Sequence, residues 1–449
     1  MKDIYDYIEN NRERFLKELV TLLSQPSISS QSKGVIECGQ LLKRQMEAIG
    51  VSARIFPTAG FPVIYGEVKS SGAQKTLLIY GHYDVQPPEP LDLWDSPPFE
   101  PRVRNGRLYG RGTGDNKGQL FAHLKAVESA LRVREGLPVN VKFLFEGEEE
   151  IASRNLATFI EEHKTLLSAD WAYCSDGGMH PGDQPTIVFG VRGILYVEIT
   201  ARGANRDVHS GNWSAFVPAP AWRLVDFLNT LRDQSGKVLV KGFYDDVEPP
   251  TELEKEALGR IPLDHEMLQN LGVSPEVFRG EISPYEKLMF QPTMNICGFS
   301  SGYGGEGMKT IIPHLGKVKM DMRLVVSQDP DDIFSKFKAH AEEHGFGDLE
   351  IVKTGAFHPS RTPLHHPLGK AVANAVRTGF GKEPLLLPCM GGSDPDYYFT
   401  KILGLPRVNV PYAPHDENNH APNENIKIDG FVKGIRTTAS VLYELAKLP

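Results

Sequence analysis

Short apolar, β-rich runs recur in the first part of the chain, and each ends on a glycine or an acid. They read "KTLLIYG" (75–81), "VNVKFLFEG" (139–147) and "DWAYCSDGG" (170–178), and "NKGQLFAHLKAVESALRV", between the first two, has helical spacing. Strands interleaved with helices predict an α/β fold, a mostly parallel sheet with helices on both faces. In such a sheet ligands bind beyond the carboxyl ends of the strands. The residues just past those ends are therefore the ones to inspect for chemistry.

The texture changes near residue 191. "GILYVEITARG" alternates as a half-buried strand does and precedes a helix, "APAWRLVDFLNTLRD". A charged, proline-containing insertion at about 240–290 separates these from "TMNICGF", "GKVKMDMRLVV", the helix "DPDDIFSKFKAHAEEHG" and the strand "DLEIVKTG". That β-α-β-β-α-β order is the split ferredoxin-like arrangement. After it the α/β texture returns through "HPLGKAVANAVRTGFG", "LLLPCM" and a C-terminal helix. The expected organisation is an α/β domain (1–190 and 358–449) interrupted by a smaller α+β lid or dimerisation domain (191–357). The insertion reads only as decoration of that lid.

Composition narrows the function classes. The 449 residues carry a net charge of -8 with no basic stripe, which argues against a nucleic-acid partner. The start, "MKDIYDYIENNRERFLKELVTLLSQPSIS", reads as one amphipathic helix ended near Pro26, not as a signal peptide, and no stretch approaches membrane-spanning length. Cys38, Cys174, Cys297 and Cys389 are dispersed, which suggests buried thiols in a reducing compartment. A cytoplasmic protein with no membrane association is expected.

Past the strands lie His82 and Asp84 in "GHYDV", Glu146 and Glu148–Glu150 in "FEGEEEIAS", and Asp176 in "SDGG". Asp115 precedes a helix in "GRGTGDNKG", and His420 sits in "ENNHAPNEN" before the last helix. Singly, each has a bland reading: an acidic helix start facing the macrodipole, a turn, or an N-cap. Together they fall at one end of one predicted sheet. Two carboxylates ~4 Å apart repel by ~4 kcal/mol near a partly dry surface, so such crowding calls for cations. Imidazole and carboxylate donors suit zinc, manganese or cobalt. Two divalent ions would balance Asp115, Glu150, Asp176 and a bridging hydroxide. Glu149 would then be free as general base, and Asp84 could hold the outer nitrogen of His82.

"GHYDVQP", "YGRGTGDNKGQ", "FEGEEEIAS", "SDGG" and "NNHAPNE", in this order, resemble the co-catalytic di-zinc metallopeptidases that include carnosinases, aminoacylases and glutamate carboxypeptidase, most of all the carnosinase-like dipeptidases. The resemblance covers nearly the whole chain. It implies that His82 and Asp176 bind one metal, Glu150 and His420 the other, and that Asp115 bridges them. It further implies that Glu149 is the general base. It implies that His209, in "RDVHSG", reaches over from the lid of a partner subunit to stabilise the oxyanion. It makes Thr310, Arg323, Gly392 and Ser393 substrate contacts, with Arg323 clasping a free carboxylate, and puts His358 in the pocket lining. Two positions depart from the pattern: Asn116 stands where a second acid is common, and Glu148 where a neutral residue is common.

The expected function is that of a homodimeric di-metal exopeptidase, zinc in first place, manganese or cobalt next. It would hydrolyse dipeptides or short peptides with a free C-terminal carboxylate, by attack of a metal-bridging hydroxide. An N-acyl-amino-acid deacylase would share the same metal chemistry. A non-catalytic metal-dependent binding protein is the third reading, against which intact Glu149 and His209 count.

Overall fold

The three apolar runs form the strands Thr76–His82, Asn140–Glu146 and Trp171–Cys174, buried along almost their whole length. Burial on both faces is what a continuous apolar run, as opposed to an alternating one, requires. Thr76–His82 lies between the other two and pairs with both in parallel, with His82 opposite Glu146. The computed structural model describes residues 1–274 and 282–449; residues 275–281 of the insertion lie outside the described residues.

The eight-stranded sheet runs in the order Ser52–Phe56, Val63–Val68, Asn140–Glu146, Thr76–His82, Trp171–Cys174, Arg407–Asn409, Thr186–Val188, Leu385–Leu387. It is parallel at its centre. The first two strands add an antiparallel edge, and Asn409 meets Val188 antiparallel. One face is covered by Val35–Ala48, Lys117–Val133, Pro367–Phe380 and Ile428–Leu445, the other by Leu156–Glu162 and the turn around Phe399. The expected single N-terminal helix is two, Lys2–Asn10 and Arg12–Leu23. The break falls at Asn11, which leaves helical geometry (φ -106°, ψ 7°) while its side-chain amide donates to the Tyr7 carbonyl. Asparagine competes for backbone acceptors in this way, which is why it favours helix ends.

The second sheet is antiparallel, in the order Thr293–Ser301, Leu315–Leu324, Gly193–Arg202, Glu350–Phe357. This is the split βαββαβ topology. Burial alternates along Gly193–Arg202 and Leu315–Leu324. The inward residues pack on the helices Pro220–Leu231 and Pro330–Glu343 through Leu195, Val197, Phe227 and Phe337. On other parts of this sheet Ile296, Phe299 and Val352 remain exposed.

The insertion does not simply decorate this lid. Val238, Val240 and Phe243 complete the lid core. From Thr251 onward the chain crosses to the larger domain, where Leu258, Ile261, Met289 and Phe290 enclose Cys389. Glu254 closes a capping box on Thr251, and its buried carboxylate lies 3.2 Å from the Arg361 guanidinium, which in turn sits 5.0 Å over the Phe290 ring. The insertion lacks long apolar periodicity, so its docking surface could not be read from spacing alone. One cysteine also departs from expectation: Cys297 is exposed while the other three are buried. Among the described residues no helix is long and apolar enough to cross a membrane.

Replacing Glu254 with Ala removes the capping-box acceptor and leaves the Arg361 cation unpaired in a mostly buried place, a change worth roughly 1–3 kcal/mol. Limited proteolysis is expected to cut faster within 251–290 while the lid strands keep their protection. An unchanged cleavage rate would contradict this docking.

Candidate metal centre

Parallel register brings the strand ends together, so residues far apart in the chain share one pocket. Asp115 lies at its centre. Its Oδ1 is 3.0 Å from His82 Nε2, and its Oδ2 is 3.0 Å from His420 Nε2. Each imidazole has a second carboxylate: Asp176 Oδ2 at 3.4 Å from His82, and Glu150 Oε2 at 3.2 Å from His420. Two groups could therefore each hold a metal ion, His82–Asp115–Asp176 and Asp115–Glu150–His420, with donor atoms within 4.8 Å of one another in each. Glu149 Oε2 stands 4.0 Å from His82 Nε2 and belongs to neither group.

The supporting residues explain how loops hold such positions. Glu424 accepts the backbone N–H groups of Gly112, Gly114 and Asp115 and pairs with Arg111 at 2.7 Å, all of it buried. Gln119, one turn into its helix, donates to the carbonyls of Gly114 and Gly177 and accepts from Tyr412 N–H. It thereby ties together the loops that carry Asp115 and Asp176. Asn116, joined to Asp115 by a cis peptide, donates to the Ser175 carbonyl at 2.6 Å. Asn409 accepts from the N–H of Asp176 and donates to its carbonyl. Asp84 has two tasks: its carbonyl is 3.1 Å from His82 Nδ1, and its carboxylate, 3.4 Å from that nitrogen, accepts the N–H groups of Glu149 and Glu150. The carbonyl, not the expected carboxylate, is the nearer partner. In the last loop Asn418, His420 and Asn423 all have left-handed φ, an uncommon conformation for such residues that concentrates at functional sites.

The four glutamates separate by environment. Glu146 is buried on Tyr80 and Ser153, and burial pushes its carboxyl up to about 8. Glu148 accepts from Phe61 N–H and from Asn155, a structural role that accounts for an acid at this position. Burial, with Asp176 and Glu150 nearby, pushes Glu149 well above the ordinary carboxylate range. Burial and Asp115 raise Glu150 to about 7. Bonds to Asp115 and Glu150 lift His420 to about 10, and although burial opposes it, Asp115 and Asp176 also hold His82 well above the imidazole range. Burial works against the charge of Asp115 too, but His420 and His82 keep it ionised. His82 Nε2 and Glu150 Oε1 are buried without any hydrogen-bond partner, as donors kept for metals would be. The donor set fits two divalent ions.

Sequence reasoning missed several members. Glu417 is a further buried acid, raised by burial and by Asp115, with Oε2 unpartnered. It packs so closely on Gly114 that a Cβ there would lie 2.0 Å from Oε2, so a larger residue would have to displace the Glu417 carboxylate. Gln86 donates to Glu150 Oε2 at 2.9 Å. Arg192 donates from Nε and Nη2 to the Gly391 carbonyl, and its N–H bonds the Gly392 carbonyl. Gln86 and Glu417 lie inside the stretches "GHYDVQP" and "ENNHAPNEN" without having been singled out, whereas Arg192 carries no motif and is placed by the fold.

The remaining expected residues are dispersed. Arg323 Nη1 donates to Ser393 Oγ at 3.0 Å, linking lid to α/β domain beside Gly392. His209 pairs with Ile311 in a two-residue ribbon, is exposed, and accepts from Gly211 N–H. Thr310 is exposed next to it. His358 stacks on Tyr397 with centroids 4.3 Å apart and faces Asp329 at 3.8 Å. It does not line the cavity beside Asp176.

Comparison with known proteins agrees with this geometry. The profile of peptidase family M20/M25/M40 matches residues 78–444. Human Beta-Ala-His dipeptidase is 31% identical over 86% of this chain and 78% of its own length. The Cys-Gly metallodipeptidase dug1 of Schizosaccharomyces pombe is 28% identical over 99% of this chain and 98% of its own. Among solved structures, the M20 family metallo-carboxypeptidase Sso-CP2 from Sulfolobus solfataricus superposes with TM-score 0.89 at 40% identity, covering 97% of this chain and 99% of that one.

Metal binding to this donor set would displace protons from its imidazoles. With His420 held at about 10, adding zinc to chelator-stripped protein at pH 8 is expected to release roughly one proton or more per chain, read with an indicator dye. His420 is raised when folded, so its proton-linked stabilisation is full below ~6.5 and is lost as pH rises through about 10. The stripped protein should therefore lose thermal stability between those limits and the metal-loaded protein much less. Metal uptake without proton release would contradict the assignment.

Proposed function

The chain belongs to peptidase family M20/M25/M40 and is a metal-dependent hydrolase, and from that premise we propose that it is an exopeptidase that hydrolyses dipeptides and short peptides with a free C-terminal carboxylate. One observation carries the reading: the two oxygens of Asp115 face two different imidazoles, each with its own second carboxylate, and Glu149 stands beside them uncommitted. A single structural ion pair would need none of this duplication. The names of the relatives support the substrate class, since dipeptides and carboxypeptidase substrates share a free carboxylate beside the scissile bond.

His82 and Asp176 would hold one divalent cation, Glu150 and His420 the other, and Asp115 both; we propose zinc, with manganese or cobalt as substitutes. Such a pair polarises the scissile carbonyl and lowers the pKa of water towards ~7. Glu149 takes the proton of the attacking water and delivers it to the leaving nitrogen as the C–O bond forms and the C–N bond breaks. Arg323, already donating to Ser393, offers a planar fork to the substrate carboxylate beside Gly392. His209 and Thr310 would act on the site of a second copy. The exposure of Trp213, Phe216 and Trp222, near His209 in the chain, supports a homodimer through the lid. Four free cysteines support a reducing, cytoplasmic setting.

Glu149→Gln should still bind metal and lose kcat by roughly 10²–10⁴-fold on an unblocked dipeptide. Undiminished turnover would remove Glu149 as base. Removing His209 tests the partner assignment: His209→Ala alone should lose roughly 10²–10³-fold. Co-expressed with Glu149→Gln, it should recover about a quarter of the sites, because each mixed dimer of this symmetric kind rebuilds one intact site. Absence of any recovery would place His209 outside catalysis across the dimer.

A further inference from the structure

A cavity of about 740 Å³ opens beside the metal centre, with Asp176 in its wall. Part of its lining comes from the insertion, through Asp264, Asn270, Leu271 and Tyr285. The body is largely apolar, where Val188, Leu387, Met390 and Pro411 face it. Asp416, also in the lining, is engaged by both Nη atoms of Arg107 at 3.0 and 2.7 Å. The wall is tethered: Tyr285 donates to the Pro262 carbonyl at 2.7 Å, and His180 Nε2 lies 3.2 Å from the same oxygen. His180 belongs to the loop that carries Asp176, so the insertion is fastened to the ligand loop itself.

We infer that the insertion forms one wall of an extended subsite that receives the apolar side chain of the residue on the acyl, N-terminal side of the scissile bond. The inference rests on the exopeptidase reading, and three features support it. The cavity reaches Asp176 directly and is not lined by Arg323 or Ser393, so a substrate whose carboxylate is held by that pair would leave this cavity to its acyl side. The volume lies in the range of whole small-molecule sites, about 300–1,000 Å³, larger than one small side chain needs. Leu271 projects at the rim with 65% of its surface exposed, an apolar group that a bound side chain would cover. Room remains for the chain to continue, so tripeptides fit as well as dipeptides.

The test uses the metal-loaded full-length enzyme and reads the ratio of kcat/KM for Phe-Ala over Gly-Ala. The parent should prefer Phe-Ala and also release alanine from Leu-Phe-Ala. Leu271→Asp should lower the ratio roughly tenfold and Leu271→Ala by a smaller factor, since apolar pocket contacts discriminate by about 10–200-fold. Leu253→Asp, on the insertion but lining a different cavity, should keep the parental ratio. A ratio unmoved by both Leu271 variants, a fall with Leu253→Asp, or a parental preference for Lys-Ala over Phe-Ala overturns the inference. A parent that hydrolyses neither dipeptide instead overturns the exopeptidase reading, so the two failures are distinguishable.

Discussion

The organisation of this molecule depends on one carboxylate shared by two imidazoles. Asp115 can face His82 and His420 together only if a strand end, a helix start and a C-terminal loop arrive at one point. Parallel pairing supplies the first, since it aligns the carboxyl ends of Thr76–His82, Asn140–Glu146 and Trp171–Cys174 on one edge. Glu424 supplies the last: from the loop after His420 it reaches back to three N–H groups around Asp115. The same buried acid therefore ties the candidate ligand Asp115 to the loop that carries the candidate ligand His420.

This arrangement is costly without cations, and the pocket shows how the chain tolerates it. Glu149, Glu150 and Glu417 are all raised, chiefly by burial, while the two imidazoles are raised by their carboxylate partners. Divalent ions held by this donor set would offset the same repulsion and displace protons from it. Folding and metal binding are thus linked through the same atoms, and positioning by Gln119 and Asn409 keeps the geometry in both conditions.

The parallel core, the split lid and the convergence of the candidate donors were legible because each has a periodic or a chemical signature. Buried strands read as unbroken apolar runs, and a histidine or acid just past such a run is conspicuous. The edge strands Ser52–Phe56 and Val63–Val68 were not legible: the first, "SARIF", is partly exposed, and the second carries Gly66. The supporting polar residues were not legible either, since Gln119 and His123 look alike on one buried helix, yet only Gln119 meets the ligand loops. Glu148 shows the converse, an acid that looked anomalous in a catalytic cluster and is engaged by Asn155 and Phe61.

The insertion is where sequence pattern is weakest and tertiary contact most informative. Its first residues serve the lid core, but Glu254, Ile261 and Phe290 fasten the rest to Arg361 and Cys389 of the α/β domain. Arg323, by contrast, reaches Ser393 from a strand of the lid sheet. The pocket is therefore assembled from two directions by elements with different anchorage. The wall beside Asp176 is tied to the domain that carries the ligands, and the proposed carboxylate clasp is carried by the lid. Any displacement of lid against α/β domain would alter the clasp-to-metal distance before it altered the shape of the wall. On the proposed reading, substrate length would be governed by the lid and side-chain fit by the insertion.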